Sequence, residues 1–307
     1  MPHEAEMKST RIVNASVDDV WDMWTNPTHL AKWWGPKGFT NTFHIFEFKE
    51  NGRWSFTMQG PDGTDYPNEI VYVNINPKTS LVMDHVNAPK FRITATFEPV
   101  GNRTRITFSG VFESAAVYDA VKDFVILGNE ENFDRIEVLL AEKTGTVAAI
   151  PFELSRTFKT DIETMWQLWT SPEHMAKWWG PKGNKVGHVN RDFRRGGTYH
   201  YCMILPDGGE MWGKMYYRDI VPQKRLMFVN TFSNAEGGIA RHPMSPEWPE
   251  EFLSLITFES TKDGEVTVTI RWSPINATPE EIKCFNDGHA GMTQGWGGVL
   301  DCLESIL

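Results

Sequence analysis

The feature that most constrains this chain is an internal repeat. The segment Trp21–Gly38 is WDMWTNPTHLAKWWGPKG, and the segment Trp166–Gly183 is WQLWTSPEHMAKWWGPKG. The two segments are 145 positions apart, and the same shift still aligns Leu81 with Leu226. Two copies of a unit this long indicate a duplicated domain, because a solenoid needs three or more copies to be stable.

The repeat also places the domain boundary. The stretch Lys143–Thr146 is short and polar and contains a glycine, so the join is expected there. We predict domains at residues 1–145 and 146–307. A copy of about 150 residues can bury roughly 68–70% of its unfolded surface, which suffices for a core of its own. The second copy carries about sixteen extra residues between 230 and 251.

Composition limits which cell compartment and which classes of partner are expected. The formal net charge of −10 disfavours nucleic acid as a partner, since such binding depends on neutralising phosphates. No apolar run approaches the roughly 18 residues that a membrane span requires, so no membrane span is expected. The three cysteines, Cys202, Cys284 and Cys302, lack the spacing of a disulfide framework or a zinc site. We therefore expect a cytoplasmic protein that holds no metal.

Each copy has the same predicted order of elements. A short strand comes first, followed by a helix whose N-cap is predicted at Ser16 in one copy and at Thr160 in the other. A second short helix begins at a proline, and a meander of alternating strands follows. A helical segment closes each copy, over 116–142 in the first and from the N-cap Thr278 toward the end in the second. This order predicts an α+β fold with an antiparallel sheet.

The residues carry a family resemblance as well. The repeated Trp-Trp-Gly, the Gly196-Gly197 pair, the Pro-Asp-Gly turn and Gly295-Trp296 resemble the helix-grip (SRPBCC) superfamily of START domains and the birch-pollen allergen. Within it, the chain resembles the family named after the activator of the heat-shock-protein-90 ATPase, the AHSA type. The resemblance implies two tandem domains, each with an antiparallel sheet wrapped around a long C-terminal helix. The first copy departs from this pattern at Asn51 and at Asn132-Phe133.

Aromatic side chains dominate the candidate site in the second copy. In the resemblance, the space between sheet and terminal helix is the ligand cavity, which the strand residues Tyr199, Tyr201 and Met203 should face. Adjacent helical residues point about 100° apart, so one indole of a Trp-Trp pair can face a cavity while the other packs in the core. His289 is the candidate for a polar ligand contact. The predicted ligand-binding residues are Trp178, Trp179, Tyr199, Tyr201, Met203, Trp248, His289 and Trp296.

Two differences between the copies predict that the second one binds the ligand. Its last segment is rich in glycine, with Gly288, Gly291, Gly295, Gly297 and Gly298, which should break the helix or leave room beneath it. The first copy is bulky in the same stretch, where we expect the space to be filled by Phe124, Val125, Ile126, Phe133 and Ile136. The extra residues of the second copy, which include His242 and Trp248, form a candidate lid.

The sequence favours a small-molecule-binding protein for a hydrophobic or aromatic ligand. It contains no nucleophile-elbow, phosphate-loop or dinucleotide motif, so catalytic residues are unknown and no cofactor is expected. A cyclase or hydratase using the same pocket stays open, as does a chaperone co-regulator acting through a surface contact. The resemblance also suggests that the two copies pair as a pseudo-dimer within one chain.

Overall fold

The computed structural model describes residues 5–180, 183–243, 245–261 and 263–307. The chain divides into two compact units, Met1–Ala148 and Ala149–Leu307. Each unit contains a seven-stranded antiparallel sheet and ends in helix. The predicted α+β class, with two tandem domains, is confirmed.

The first unit contains three helices and one sheet. Its strands are β1 (Glu6–Val13), β2 (Thr40–Phe46), β3 (Arg53–Gln59), β4 (Asp65–Asn76), β5 (Ser80–His85), β6 (Phe91–Val100) and β7 (Arg103–Phe112). Its helices are α1 (Val17–Thr25), α2 (Pro27–Trp33) and α3 (Ala115–Thr144). The sheet order is β1-β7-β6-β5-β4-β3-β2, and α3 packs against β1 and β7.

The second unit repeats this topology strand for strand. Its strands are β8 (Phe152–Phe158), β9 (Lys185–Arg191), β10 (Thr198–Ile204), β11 (Glu210–Val221), β12 (Arg225–Ser233), β13 (Glu251–Ser260) and β14 (Val266–Ile275). Its helices are α4 (Ile162–Thr170), α5 (Pro172–Trp178), α6 (Pro279–Asp287) and α7 (His289–Glu304). The sheet order is β8-β14-β13-β12-β11-β10-β9, so each strand has its counterpart in the first unit.

The terminal helix distinguishes the two units. In the first unit α3 is one continuous helix of 30 residues that ends at Gly145, a left-handed C-cap. In the second unit the helix is interrupted at Gly288, which joins α6 to α7. The predicted capping box at Thr278 is present in both directions, since its side chain and that of Glu281 each bond the other's backbone N–H. Glycine therefore breaks the second helix without ending it.

Some local expectations need correction. The N-cap of α4 is Asp161, whose carboxylate accepts the Thr164 N–H at 2.8 Å, and not Thr160. A carboxylate one position later bonds the same end of the helix, so the capping interaction is kept with a different residue. The edge strands β2 and β9 are also additional to the sequence prediction. Their alternation is weak, because several side chains on both faces are exposed.

The core of each unit is organised around the same buried tryptophan. Trp33 and Trp178 are fully buried, and each donates its indole N–H to a carbonyl of the preceding helix, at Met23 (2.8 Å) and Leu168 (2.9 Å) respectively. This bond joins α1 to α2 and α4 to α5. The first tryptophan of each Trp-Trp pair is thus a structural residue in both units.

Candidate functional site

A cavity of about 370 Å³, partly open to solvent, lies between the sheet and the terminal helix of the second unit. Its walls are mainly aromatic, formed by Trp179, Tyr201, Trp212, Phe232, Trp248, Trp272 and Trp296. Met203, Met211, Met292 and Val299 add flexible apolar surface. Pockets for small ligands begin at roughly this volume and are lined in this way, with few polar groups.

Five of the eight predicted site residues meet at this cavity. They are Trp179, Tyr201, Met203, Trp248 and Trp296, and they come from the residue after α5, from β10, from the insertion before β13, and from α7. The rings are in mutual contact: the Trp179 centroid lies 6.1 Å from that of Tyr201 and 5.9 Å from that of Trp296. Side chains far apart in the sequence thus form one wall.

The other three predicted residues lie elsewhere in the second unit. Trp178 is in the core, as its hydrogen bond to Leu168 requires. Tyr199 is completely buried one pleat away from Tyr201, and burial raises the pKa of its hydroxyl. His289 packs its ring against Phe152 and Phe285 at 5.8 and 5.3 Å. None of these three residues is among the described residues that line the cavity.

The insertion between β12 and β13 covers one side of the cavity. It contributes His242 and Trp248 to the walls and is held down by Arg241. The Arg241 guanidinium forms an ion pair with Glu281 at the start of α6 and a second one with Glu250 at 2.9 Å. The insertion is therefore fastened to α6 through Arg241, and the second ion pair links its two ends on either side of Trp248.

Gly288 is required for the position of Trp248. A Cβ atom at Gly288 would lie 2.8 Å from Cζ3 and 3.1 Å from Cη2 of the indole, closer than van der Waals contact permits. The same indole packs against Phe252 (5.7 Å) and Phe285 (5.8 Å). The helix break thus provides a surface without a side chain, on which the insertion residue rests.

The remaining glycines of α7 do not share one role. Gly295 lines the cavity, and a Cβ added there would meet nothing within 4 Å. Gly298 also has open space around it but lies away from the described cavity wall. The expectation that all these glycines leave room beneath the helix is therefore too broad. Within the described wall, only Gly295 does so.

Few polar groups border the cavity. Asn230, at the end of β12, receives a hydrogen bond on Oδ1 from the buried hydroxyl of Ser254. Trp272 on β14 has a buried indole nitrogen without a hydrogen-bond partner among the described residues. Burial lowers the pKa of His242 and raises that of Tyr201. Both titratable side chains are consequently neutral at pH 7.

Sequence reasoning did not identify Asn230 and Trp272. Neither belongs to a motif, and both become visible only when the strands of the two units are aligned. The first-unit positions equivalent to Asn230, Ser254 and Trp272, assigned from the strand register, are held by His85, Ile93 and Gly110. The corresponding face of the first unit thus carries neither the amide nor the indole.

The first unit uses this region for internal bonds. The ring nitrogens of His85 lie 2.8 Å from the Pro89 carbonyl and 2.8 Å from the side-chain oxygen of Asn68. Ile126, Phe133 and Ile136 of α3 are buried, as expected. The expectation for Phe124 was wrong, because its side chain is 77% exposed and points away from the sheet. Phe124 follows Asp123 on the outer side of a helix whose inner side is already occupied.

A charged cluster lies under α3 of the first unit. The Arg11 side chain is fully buried and bonds Glu130 (2.9 Å), Asp134 (3.2 Å) and Glu137 (2.6 Å). Burial raises the pKa of Glu137 to about 7, with Arg11 opposing the shift and Asp134 adding to it. The three carboxylates are spaced for one face of a helix, a signal that the sequence carries in positions 130, 134 and 137.

The described residues contain no group of three or more His, Cys, Asp or Glu side chains arranged to hold a metal ion. No helix in the described ranges is both long and apolar enough to cross a membrane.

Comparison with solved structures relates half of the chain at a time to single-domain proteins. A crystal structure of a protein from Nitrosomonas europaea is 19% identical and covers 47% of this chain and 99% of its own, with a TM-score of 0.44. A solution structure of a protein from Arthrobacter aurescens is 28% identical and covers 45% and 87%, with a TM-score of 0.43. A search of curated proteins found no match.

A protein from Silicibacter pomeroyi that carries the family's name in its description is 16% identical, with a TM-score of 0.41, and covers 51% of this chain and 96% of its own. The family model for Activator of Hsp90 ATPase homolog 1-like protein matches residues 14–141 and again 159–307, one match in each unit. The chain therefore belongs to the family of Activator of Hsp90 ATPase homolog 1-like proteins, of which it contains two copies in tandem.

Proposed function

We propose that the second unit binds a small, mostly apolar ligand in the cavity beneath α7. The observation that carries this proposal is the composition of the wall, which combines seven aromatic side chains with no Asp, Glu, Lys or Arg among its described residues. Burying apolar ligand surface against such a wall contributes roughly 25 cal/mol per Å² before the costs of association. An aromatic or other flat apolar molecule gains most from it.

An enzyme of the cyclase or hydratase type is the first alternative. It needs an acid or base whose pKa lies near the working pH. The titratable side chains in the described wall are His242 and Tyr201. Burial lowers the pKa of His242 and raises that of Tyr201, so both favour their neutral forms. The shifted carboxyl group of Glu137 belongs to the first unit. These features favour binding over acid–base chemistry. A chaperone co-regulator, the second alternative, would act through a surface, for which the cavity provides no argument.

Two matched substitutions on one helix test the proposal. Gly295→Leu adds a side chain at the cavity wall, while Gly298→Leu adds the same side chain to α7 away from the described wall. Both replace a helical glycine, so both gain about 1 kcal/mol of helix propensity. Native mass spectrometry of the full chain is expected to find a co-purifying small molecule in the wild type and in Gly298→Leu, but not in Gly295→Leu. Equal occupancy in the two variants would place the ligand elsewhere.

A further inference from the structure

We infer that Asn230 selects an uncharged, aromatic ligand that carries a hydrogen-bond acceptor, such as a carbonyl oxygen, directed at its side-chain amide. This inference rests on the proposed function of the cavity and adds the chemistry of its ligand. It follows from the direction of the polar groups that border the cavity and from the absence of charge in the described part of the wall.

The side-chain amide of Asn230 has one end occupied and one end free. Its Oδ1 accepts a hydrogen bond from Ser254, whose side chain is fully buried. Its Nδ2 has no hydrogen-bond partner in the described chain, although the residue lines the cavity. An amide held in this way presents its N–H groups to a ligand. A bound acceptor would satisfy a donor that otherwise has only solvent.

The indole of Trp272 lies beside the amide but offers the ligand only its ring. Trp272 and Ser254 are register partners on neighbouring strands, so the indole and the amide lie on one face of the sheet. The Trp272 Nε1 is buried and cannot be reached from the cavity, whereas the Asn230 amide offers N–H to it without an acceptor in the described wall. A ligand that brings an oxygen acceptor compensates for this imbalance, whereas a ligand that brings a further donor does not.

The first unit shows what happens when such a position has a protein partner. His85 holds the strand position of Asn230, and it lies 2.8 Å from the side chain of Asn68. In the second unit the position of Asn68 is taken by Gly213, where a Cβ would lie 2.6 Å from the Tyr201 hydroxyl. Gly213 provides no side-chain group, so the amide of Asn230 is left without the internal partner that His85 has.

Charge on the ligand is disfavoured by the same wall. The described wall contains no acidic or basic side chain other than His242, and burial lowers the pKa of that histidine. An ionised ligand would lose its hydration without gaining a counter-ion, so it should bind more weakly than a neutral molecule of the same shape. Neutral molecules avoid this cost, so the cavity discriminates against carboxylates and ammonium groups of the same shape.

Four three-ring probes test the inference on the full chain by equilibrium dialysis. Fluorenone carries a carbonyl acceptor, carbazole an N–H donor, fluorene neither, and fluorene-9-carboxylate a negative charge. We expect fluorenone to bind roughly three- to ten-fold more tightly than fluorene, the range that one net hydrogen bond provides. Carbazole should not exceed fluorene, and the carboxylate should bind most weakly. Gly295→Leu should abolish, and Gly298→Leu retain, the binding of fluorenone and fluorene.

Two variants assign the selectivity to Asn230. Asn230→Leu should reduce the preference for fluorenone over fluorene to less than two-fold. Asn230→Ala removes the same amide and provides a second reading if Asn230→Leu folds poorly. Equal binding of fluorenone and fluorene to the wild type, tighter binding of carbazole, or tightest binding of the anion would overturn the inference and leave the binding cavity intact. Failure of all four probes to bind would overturn the proposed function as well.

Discussion

Arg11 in the first unit and Arg156 in the second occupy the same position of the same strand. Arg11 points beneath an unbroken helix and is enclosed by three carboxylates. Arg156 is 28% exposed and pairs with Asp301 (2.6 Å) and Glu304 (3.8 Å), which are 72% and 62% exposed. One unit uses the space between helix and sheet for a charged cluster. The other has the ion pairs of Arg156 at the surface and an apolar cavity beneath its terminal helix.

The difference teaches that a duplicated fold can divide two tasks between its copies. Both units keep the same pair of short helices, joined by the buried Trp33 or Trp178, and we call this the shared frame. Its hydrogen bond is the same in the two units. The layer under the terminal helix has changed in charge, volume and helix continuity. Substitutions at matched positions can therefore separate what belongs to the frame from what belongs to one unit.

The largest expected contrast is between the two arginines. Arg11→Met leaves three buried or half-buried carboxylates without their cation, and breaking a buried ion pair in this way costs about 3–5 kcal/mol. Arg156→Met should cost less than about 1 kcal/mol, since its partners are exposed. Urea unfolding followed by hydrogen exchange of β1 and β8 reports each unit separately. Similar losses in the two units would contradict the contrast.

The next effect is a pH dependence confined to the first unit. The pKa of Glu137 in the folded unit is about 7, above its ordinary value of 4.5, so the folded state binds the proton more tightly. Its contribution to stability is complete below about pH 4.5 and is lost as the pH rises to about 7. We expect a loss on the order of 2 kcal/mol over this interval.

Glu137→Gln should flatten that pH profile, because the amide cannot ionise. Glu304→Gln is the matched control in the second unit, where the carboxylate is exposed and pairs weakly with Arg156 at 3.8 Å. Unfolding free energies measured at pH 4.5 and pH 7 provide the comparison. A profile that is unchanged by Glu137→Gln would show that another group controls it.

The shared frame should respond equally in both units. Trp33→Phe and Trp178→Phe each remove one indole N–H from a buried carbonyl, at Met23 and Leu168. We expect each substitution to cost about 1–2 kcal/mol of the stability of its own unit. Thermal unfolding of the two variants measures this. A much larger loss in one unit would mean that the frame has diverged as well.

The smallest expected effect concerns the first departure from the family pattern. Asn51 and Gly196 hold equivalent positions and both have positive φ, 60° and 75°. Asparagine tolerates this conformation better than other non-glycine residues. Gly196→Asn is therefore expected to change stability by less than about 0.5 kcal/mol, and Gly196→Ala by about 1 kcal/mol. Equal costs for alanine and asparagine would contradict this explanation of Asn51.

Much of the architecture could be predicted from the sequence, because the repeat fixes the topology twice. The strand face of Tyr201 and Met203 followed from simple alternation, and the Thr278 cap from local hydrogen bonding. The edge strands β2 and β9 were missed, since exposed edges carry little alternation. His289 was predicted as a ligand contact, whereas its ring packs against Phe152 and Phe285 and is not in the described cavity wall.

The polar floor of the cavity was beyond sequence reasoning for a different reason. Asn230 and Trp272 are 42 positions apart and belong to strands separated by β13. Their relation depends on strand register, which the insertion between β12 and β13 obscures. The buried Arg11 cluster, in contrast, left a usable signal in the helical spacing of its three carboxylates.

The close contact between Gly288 and Trp248 has a consequence for how such a chain can change by single steps. A tryptophan in the insertion has no place to pack while the helix residue opposite carries a Cβ. A glycine in the helix, without that tryptophan, costs only about 1 kcal/mol. The two substitutions are therefore tolerated in one order, with the glycine as the permissive change. Once the tryptophan is in place, reversion of the glycine is blocked.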